Sequence, residues 1–465
     1  MNRLAIVGGG ISGLAAAYEL EQQRRAGAEL EYALYESSPR LGGVLRTDYI
    51  NGCVVEAGPD SFVTEKPWAA DLARSLGLGD QLIGSNDADR KTYILTRGRL
   101  VEMPDGLMFM VPTKILPTGL SPLFSWRTKL RMAQELLHPP RAVDRDESVA
   151  AFVERHYGSE MVDRLADPLL SGVYGGEAAN LSVRAVLPRF ADMERTHGSL
   201  GKAMLAARRK VSASHSKAPL FTSLKNGMQS LAETIVSRLP AEALLTNAPV
   251  QAIQPQPEAG GWTISAGLKS DQFDGVIVAL PGLAAADVLR MASAELSAEL
   301  SAIQYSSSIT VGIGYDHEVR RSLPAGFGFL VPRSEGKRLL AATFVHNKFP
   351  HRAPEDRALL RCFFAGKNAE SVWPYSDDQI VGIVRQELQQ ILGLRAEPLF
   401  ARVYRWKSAM AQYSVGHLER LERIERLRRQ LPGLALAGNA YRGIGVPDCV
   451  RSGQDAAVAL LKRSA

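Results

Sequence analysis

Residues Gly8-Gly9-Gly10-Ile11-Ser12-Gly13 constrain this chain more than any other stretch. They join an apolar run, Leu4-Ala5-Ile6-Val7, to a helical pattern, Leu14-Ala15-Ala16-Ala17-Tyr18-Glu19-Leu20. A strand, a Gly-x-Gly-x-x-Gly turn and a helix together lay a dinucleotide pyrophosphate on a helix N-terminus. Gly8 makes the tight turn, Gly10 lets backbone approach the phosphates, and Gly13 packs helix on strand. A second strand, Tyr32-Ala33-Leu34-Tyr35, ends in Glu36, an acid placed to accept from a ribose hydroxyl. The gap from Gly8 to Glu36 exceeds the usual ~20 residues, and the extra length falls in the polar stretch 21–31.

The residues beyond Glu36 narrow the dinucleotide. Ser37-Ser38-Pro39-Arg40-Leu41-Gly42-Gly43-Val44 extends the motif, and Glu56-Ala57-Gly58-Pro59-Asp60-Ser61 follows. This block resembles the FAD-binding half of the amine oxidase and protoporphyrinogen oxidase superfamily. The resemblance implies that the Arg-x-Gly-Gly turn lies over the pyrophosphate and that the Gly-Pro segment passes beside the isoalloxazine ring. It makes FAD the expected cofactor, since NAD-dependent dehydrogenases lack the Arg-Leu-Gly-Gly extension.

At 465 residues, 46% hydrophobic and 22% charged, the chain is globular and long enough for two or three domains. The net charge of +6 is spread along it. The basic clusters Arg208-Arg209-Lys210 and Arg426-Leu427-Arg428-Arg429 lack interleaved aromatic residues, so they read as solvated helix faces, not nucleic-acid sites. Cys53, Cys362 and Cys449 fit no metal-ligand spacing and suit a reducing cytoplasm. The chain opens on its first strand, with no room for a signal peptide, and no run matches a membrane-spanning helix. Residues 106–126 come nearest; they read as a lid over an apolar cavity or a surface-seeking segment, so a peripheral contact on the inner membrane face stays open.

The expected fold is α/β: a Rossmann-like FAD-binding domain with a mixed-sheet substrate domain and a helical insertion. Residues 1–63, 206–282 and 431–465 are assigned to FAD binding, and 64–105 and 283–430 to the substrate domain. Residues 106–205 form a helical lid or membrane-facing domain. Amphipathic helices are expected over 148–156, 158–170 and 377–392, and a Ser-rich link over 212–217. Strands are expected near 250–253, 261–265, 275–280, 308–315, 326–331 and 359–364. Near the end, Leu434-Ala435-Leu436-Ala437-Gly438-Asn439 runs into Gly443-Ile444-Gly445-Val446-Pro447-Asp448, a second strand-to-helix turn suited to an anion.

Longer stretches refine the resemblance. Asp167-Pro168-Leu169-Leu170-Ser171-Gly172-Val173-Tyr174-Gly175-Gly176, Gly326-Phe327-Gly328-Phe329-Leu330-Val331-Pro332, Gln412-Tyr413-Ser414-Val415-Gly416-His417 and Val446-Pro447-Asp448-Cys449-Val450 look like the oxygen-dependent porphyrinogen oxidases of haem synthesis. That resemblance implies FAD contacts at Gly8 to Gly13, Glu36, Ser37, Arg40, Gly42, Gly43, Val44, Gly58 to Ser61, Val250, Trp406, Gly438, Asn439, Ile444, Gly445 and Val446. It implies a propionate partner at Arg90, with Lys91 beside it. Phe327 and Leu330 match positions that sandwich a pyrrole ring, and Gly172 permits close approach on the other face. Phe363 matches a wall position, although its apolar setting reads first as core.

The implied chemistry is a six-electron oxidation by FAD and dioxygen with release of hydrogen peroxide, which requires neither a metal nor a Ser-His-Asp set. No acid or base is assigned, and His417 reads as support near the flavin. Four propionates on coproporphyrinogen III suit a basic protein without an anchor slightly better than the two of protoporphyrinogen IX. A haem-pathway protein such as ferrochelatase is the implied partner class. An amine oxidase, a carotenoid desaturase and a flavin-free escort protein on the same fold are the alternatives.

Overall fold

The computed structural model describes residues 2–104, 106–108, 111–112, 115–141, 145–210, 218–256 and 260–464. The link 212–217, the side chains of Arg208, Arg209 and Lys210, and the centre of the loop Gln254–Gly260 lie outside them.

A five-stranded parallel sheet runs in the order Leu244–Leu245, Leu30–Tyr35, Asn2–Val7, Gly275–Val278, Leu434–Leu436. Its central strands are apolar on both faces because helices cover both. On one face lies the helix Ile11–Arg25, whose Leu14, Ala15, Ala16, Ala17 and Leu20 are fully buried. The small alanines allow the closing helix Val446–Ser464 to cross it closely. A Cβ at Gly453 would lie 2.0 Å from the Ser12 carbonyl oxygen, so this crossing excludes any larger residue there. The helix Trp68–Ser75 packs into the same core.

The second sheet has seven strands in the order Phe400–Ala411, Tyr305–Asp316, Arg357–Ala365, Ala341–Phe344, Gly328–Leu330, Thr92–Thr96, Arg99–Glu102. All its pairs are antiparallel except that of Gly328–Leu330 with Thr92–Thr96. One face is sealed by the helix Asp377–Leu392, which inserts Ile380, Val384 and Leu388 at helical spacing. Ser376 and Gln379 close that helix's start with a capping box.

Helices between 115 and 210 build a core of their own around Phe152, Met161, Leu165 and Leu200. The expected helix 158–170 is present but widens into a π turn at Val162–Ala166 before continuing as Asp167–Tyr174. Pro168 has no amide hydrogen and its ring crowds the preceding turn, which the wider π turn accommodates.

Packing redraws three of the expected boundaries. The helices Gly282–Leu289, Ala294–Ser301 and His417–Arg429 sit with Val7, Val276 and Leu434, on the outer face of the parallel sheet. Residues 68–76 likewise join the dinucleotide core rather than the substrate sheet. Sequence order placed these segments with their neighbours in the chain, whereas apolar burial drew them to the nearer sheet face.

Candidate active site

Two glycines of the first turn do separate jobs. A Cβ on Gly13 would fall 1.8 Å from the Gly8 carbonyl oxygen, so Gly13 is required for helix–strand packing. A Cβ on Gly10 meets nothing within 4 Å. Gly10 is also the N-cap of the helix Ile11–Arg25, with no side-chain cap and no acid in the first turn. An uncapped helix start facing open space is the environment an anion needs.

The loop after Glu36 folds over this turn. Gly42 pairs with Gly10 in a parallel bridge, and its amide donates to the Gly9 carbonyl at 2.8 Å. Gly42 and Gly43 adopt φ of 103° and 57°, which the chain reversal demands. Arg40 donates to the carbonyls of Leu41 (3.0 Å), Leu45 (2.9 Å) and Gly43, turning the loop around its own guanidinium. Glu36 ends its strand with Oε2 accepting from the Gly9 amide (2.7 Å) and Oε1 from the Ser38 amide (2.8 Å). Val250 begins the strand that follows Ala248, whose amide donates to the Glu36 carbonyl at 2.9 Å.

The terminal turn is braced from below. His417 is buried, stacks on Tyr413 at 4.2 Å and shares a 3.0 Å hydrogen bond through Nε2 with the Tyr441 carbonyl. Burial lowers its pKa, so the neutral ring donates to that carbonyl. The Tyr413 hydroxyl donates to the Asn439 carbonyl at 2.9 Å, and Asn439 Nδ2 donates to the Ala409 carbonyl at 3.1 Å. Gly438 donates to Ser452 Oγ at 3.1 Å, joining the turn to the closing helix.

Between the two sheets lies a charged network whose pairings no local sequence pattern announces. Glu56 is buried and accepts from Arg352 (2.5 Å), Thr47 (2.7 Å) and the Met228 amide (2.7 Å). Asp60 lies 3.0 Å from Lys348 and 3.7 Å from Arg361. Burial works against its charge, but Lys348 and then Arg361 outweigh it and hold the carboxyl well below the usual carboxylate range. The carbonyls of Ala57 and Gly58 accept from Trp406 Nε1 (2.8 Å) and from Arg361. Pairing across nearly three hundred residues leaves no periodic or motif signal.

The face of the seven-stranded sheet turned toward this network carries the expected wall residues. Leu330, Ala341 and Phe363 stand in register across three strands, while Phe329, Ala342 and Cys362 enter the opposite core. Phe363 is only half-buried and lies outside the apolar clusters of the described residues, on the face opposite Phe364, which corrects its reading as core; Phe364 is the core residue. Leu330 touches the helical core. Phe327 is buried just ahead of its strand, outside the apolar clusters of the described residues, with its amide donating to the Lys91 carbonyl at 2.7 Å.

Arg90 is exposed one residue before that contact, and among the described residues it enters no ion pair. Lys91 is 3.3 Å from Glu102. Gly172 lies exposed on the helix Asp167–Tyr174, with open space where a Cβ would project. The end of that helix is fastened to the sheet, because the Tyr174 carbonyl accepts from Gln412 Nε2 at 2.6 Å. Among the described residues no cluster of His, Cys, Asp and Glu could hold a metal, and no helix is long and apolar enough to cross a membrane.

An open, uncapped glycine turn, an acid at the end of the second strand and a second glycine turn lie together on one parallel sheet, the arrangement of a dinucleotide-binding domain. The chain belongs to the family of flavin containing amine oxidoreductases, whose sequence pattern matches residues 11–461. Its cofactor is FAD, and the open, donor-rich turn at Gly10 fits it. Within the family its full-length similarity is to porphyrinogen oxidases. It is 34% identical to coproporphyrinogen III oxidase of Bacillus subtilis (strain 168), over 97% of this chain and 96% of that one. It is 30% identical to protoporphyrinogen oxidase of Homo sapiens, over 98% of both chains. A crystal structure from Exiguobacterium sp. 255-15, provisionally named as a protoporphyrinogen oxidase, superposes with a TM-score of 0.88 at 32% identity and covers 99% of each chain.

Proposed function

We propose that this enzyme oxidises coproporphyrinogen III to coproporphyrin III in haem synthesis, in three two-electron steps. Each step consumes one dioxygen and releases one hydrogen peroxide, so six electrons and six protons leave the substrate. The observation that carries the reading is the full-length similarity to coproporphyrinogen III oxidase, supported by Leu330, Ala341 and Phe363 standing in register on one sheet face. Bound FAD supplies the two-electron acceptor that dioxygen regenerates.

The chain's own groups bind, orient and exclude water. The amides at the start of the helix Ile11–Arg25 hold the pyrophosphate, and Glu36 holds the ribose. Leu330 and Phe363 offer one apolar wall, with Phe327 beside it, and Gly172 admits the other face of the macrocycle. Arg90 pairs with a propionate at the rim, where among the described residues it enters no ion pair with a carboxylate. The +6 charge supports four propionates over two. Adding each porphyrinogen in turn and timing porphyrin fluorescence and peroxide tests the reading; faster turnover of protoporphyrinogen IX overturns the substrate, and no porphyrin from either overturns the activity.

The helix Trp126–Glu135 exposes Trp126 (69%) and Leu130 (50%), with Leu120 and Leu137 nearby and Arg127 and Arg131 between them. We infer peripheral contact of this face with an anionic membrane. Cosedimentation with phosphatidylglycerol vesicles that survives Trp126→Ser plus Leu130→Ser rules this face out.

A further inference from the structure

We propose, resting on the porphyrinogen reading above, that Arg361 is a positioning residue. It holds the Phe363 ring and the Gly58-Pro59 turn in one fixed relation and so sets the gap between the macrocycle's wall and the flavin-side turn. On the strand Arg357–Ala365, Leu360, Cys362 and Phe364 fill the core, which sends Arg361 and Phe363 to the opposite face. The Arg361 guanidinium is buried to 8% exposure, and among the described residues its Nε has no hydrogen-bond partner, so the contacts of its two other nitrogens and of its flat face hold it in place. Arg361 donates through Nη2 to the Gly58 carbonyl, places Nη1 3.7 Å from Asp60 and lays its Cζ 4.6 Å over the Phe363 ring.

The turn that Arg361 grips cannot move away on its other side. A Cβ at Gly58 would lie 1.9 Å from the Val44 carbonyl oxygen, so the turn rests directly on the loop that folds over the pyrophosphate cradle. Asp60 is held by Lys348 at 3.0 Å and by the Ser61 hydroxyl at 2.8 Å. Trp406, from the neighbouring side of the same sheet, holds the preceding carbonyl. The cofactor loop, the Gly-Pro turn and the wall ring therefore meet at one side chain. A planar fork can bridge and stack at once; a lysine keeps the charge but can do only one of these.

The test uses FAD-loaded enzyme carrying Arg361→Lys and Phe363→Leu, singly and together. Anaerobic flavin reduction by coproporphyrinogen III should slow about tenfold in Arg361→Lys, with flavin content and reoxidation by dioxygen unchanged. The same change made on Phe363→Leu should cost less than about twofold more, because the ring it positions is gone. The dissociation constant of coproporphyrin III, read by fluorescence quenching, should follow the same non-additive pattern. Equal factors in both backgrounds overturn the proposal. So does an unchanged reduction rate beside a lowered Tm, which assigns Arg361 to stability alone, or an unchanged rate in Phe363→Leu. Should Arg361→Lys not fold, Arg361→Gln takes its place with the same expectations. A native enzyme that oxidises no porphyrinogen defeats the functional reading instead, and native turnover is measured first.

Discussion

Lys66 Nζ lies 2.7 Å from both carboxylate oxygens of Asp448, fastening the start of the chain to the helix that ends it. Asp448 occupies the first turn of Val446–Ser464, where the helix dipole favours a negative charge. Its carboxylate also packs against Gly443, where a Cβ would approach within 2.2 Å of Asp448 Cγ. This pair therefore shapes the terminal glycine turn, which we propose contacts the flavin. Asp448→Asn should weaken FAD binding by about 1 kcal/mol, roughly fivefold, because Lys66 is 41% exposed and water screens the pair. Flavin fluorescence titration of the apoprotein measures it; an unchanged constant removes the turn from the FAD site.

Two glycines of the first turn should fail differently. At Gly10 a side chain points into open space and φ is −71°, so Gly10→Val should fold normally and purify without flavin. At Gly13 even a methyl meets the Gly8 carbonyl, so Gly13→Ala should lower Tm. Circular dichroism with the flavin absorbance of each purified variant separates the two. A folded Gly10→Val carrying full flavin would falsify the cradle.

Arg90→Ala should raise KM for the porphyrinogen by about tenfold with kcat little changed, since a rim contact of ~1–3 kcal/mol acts equally on ground and transition states. Lys91 already faces Glu102, so Lys91→Ala should change KM less than about twofold. Steady-state fluorescence assays of both variants give the comparison. Equal effects would mean that the segment attracts substrate by general charge.

Gly172→Ala adds a methyl where the protein has nothing within 4 Å. Stability and FAD content should therefore stay constant, and any effect must come through the substrate. Anaerobic flavin reduction should slow, since a reacting carbon has to be held at ~3–3.5 Å. Reoxidation of the reduced flavin by dioxygen should be spared. Stopped-flow absorbance follows both steps, and slowing confined to the oxygen step would take Gly172 out of the porphyrinogen slot.

His156 is fully buried between Glu135 and Glu194, each 3.2 Å from a ring nitrogen. Burial opposes its charge, yet the two carboxylates raise its pKa above 6.5, while His156 and Arg155 hold Glu194 down to about 2 despite its own burial. The His156 contribution is thus complete below pH 6.5 and is lost as pH rises through the raised value. The Glu194 contribution is complete above pH 4.5 and is lost as pH falls toward 2. The Tm of the native protein should peak between these limits and fall on the alkaline side. His156→Gln should cost about 1.5–3 kcal/mol, because each carboxylate loses a charge-assisted bond while Glu194 keeps Arg155 and Glu135 keeps Ser199 and the Leu200 amide, and its alkaline fall should disappear. A native Tm that is flat from about pH 6 to about pH 9 would show that His156 carries no such linkage.

The cofactor half was legible because its signals are local. Gly8 to Gly13, Glu36 and the Arg40–Gly43 loop each announce a backbone conformation within a few residues, and no distant group is needed to state it. The helix Asp377–Leu392 was legible for the same reason, with apolar spacing and caps in one segment. The face of Phe363 was not, because two adjacent phenylalanines carry no sign of which one a sheet will bury. Nor was the sheet to which the helices at 282–301 and 417–429 would dock, since an amphipathic stripe states that it needs a partner but not which. The network of Glu56, Asp60, Lys348, Arg352 and Arg361 was decided only by tertiary structure. Buried charges are tolerated only where opposite charge and donors converge in space, and that convergence exists only after both sheets have closed on each other.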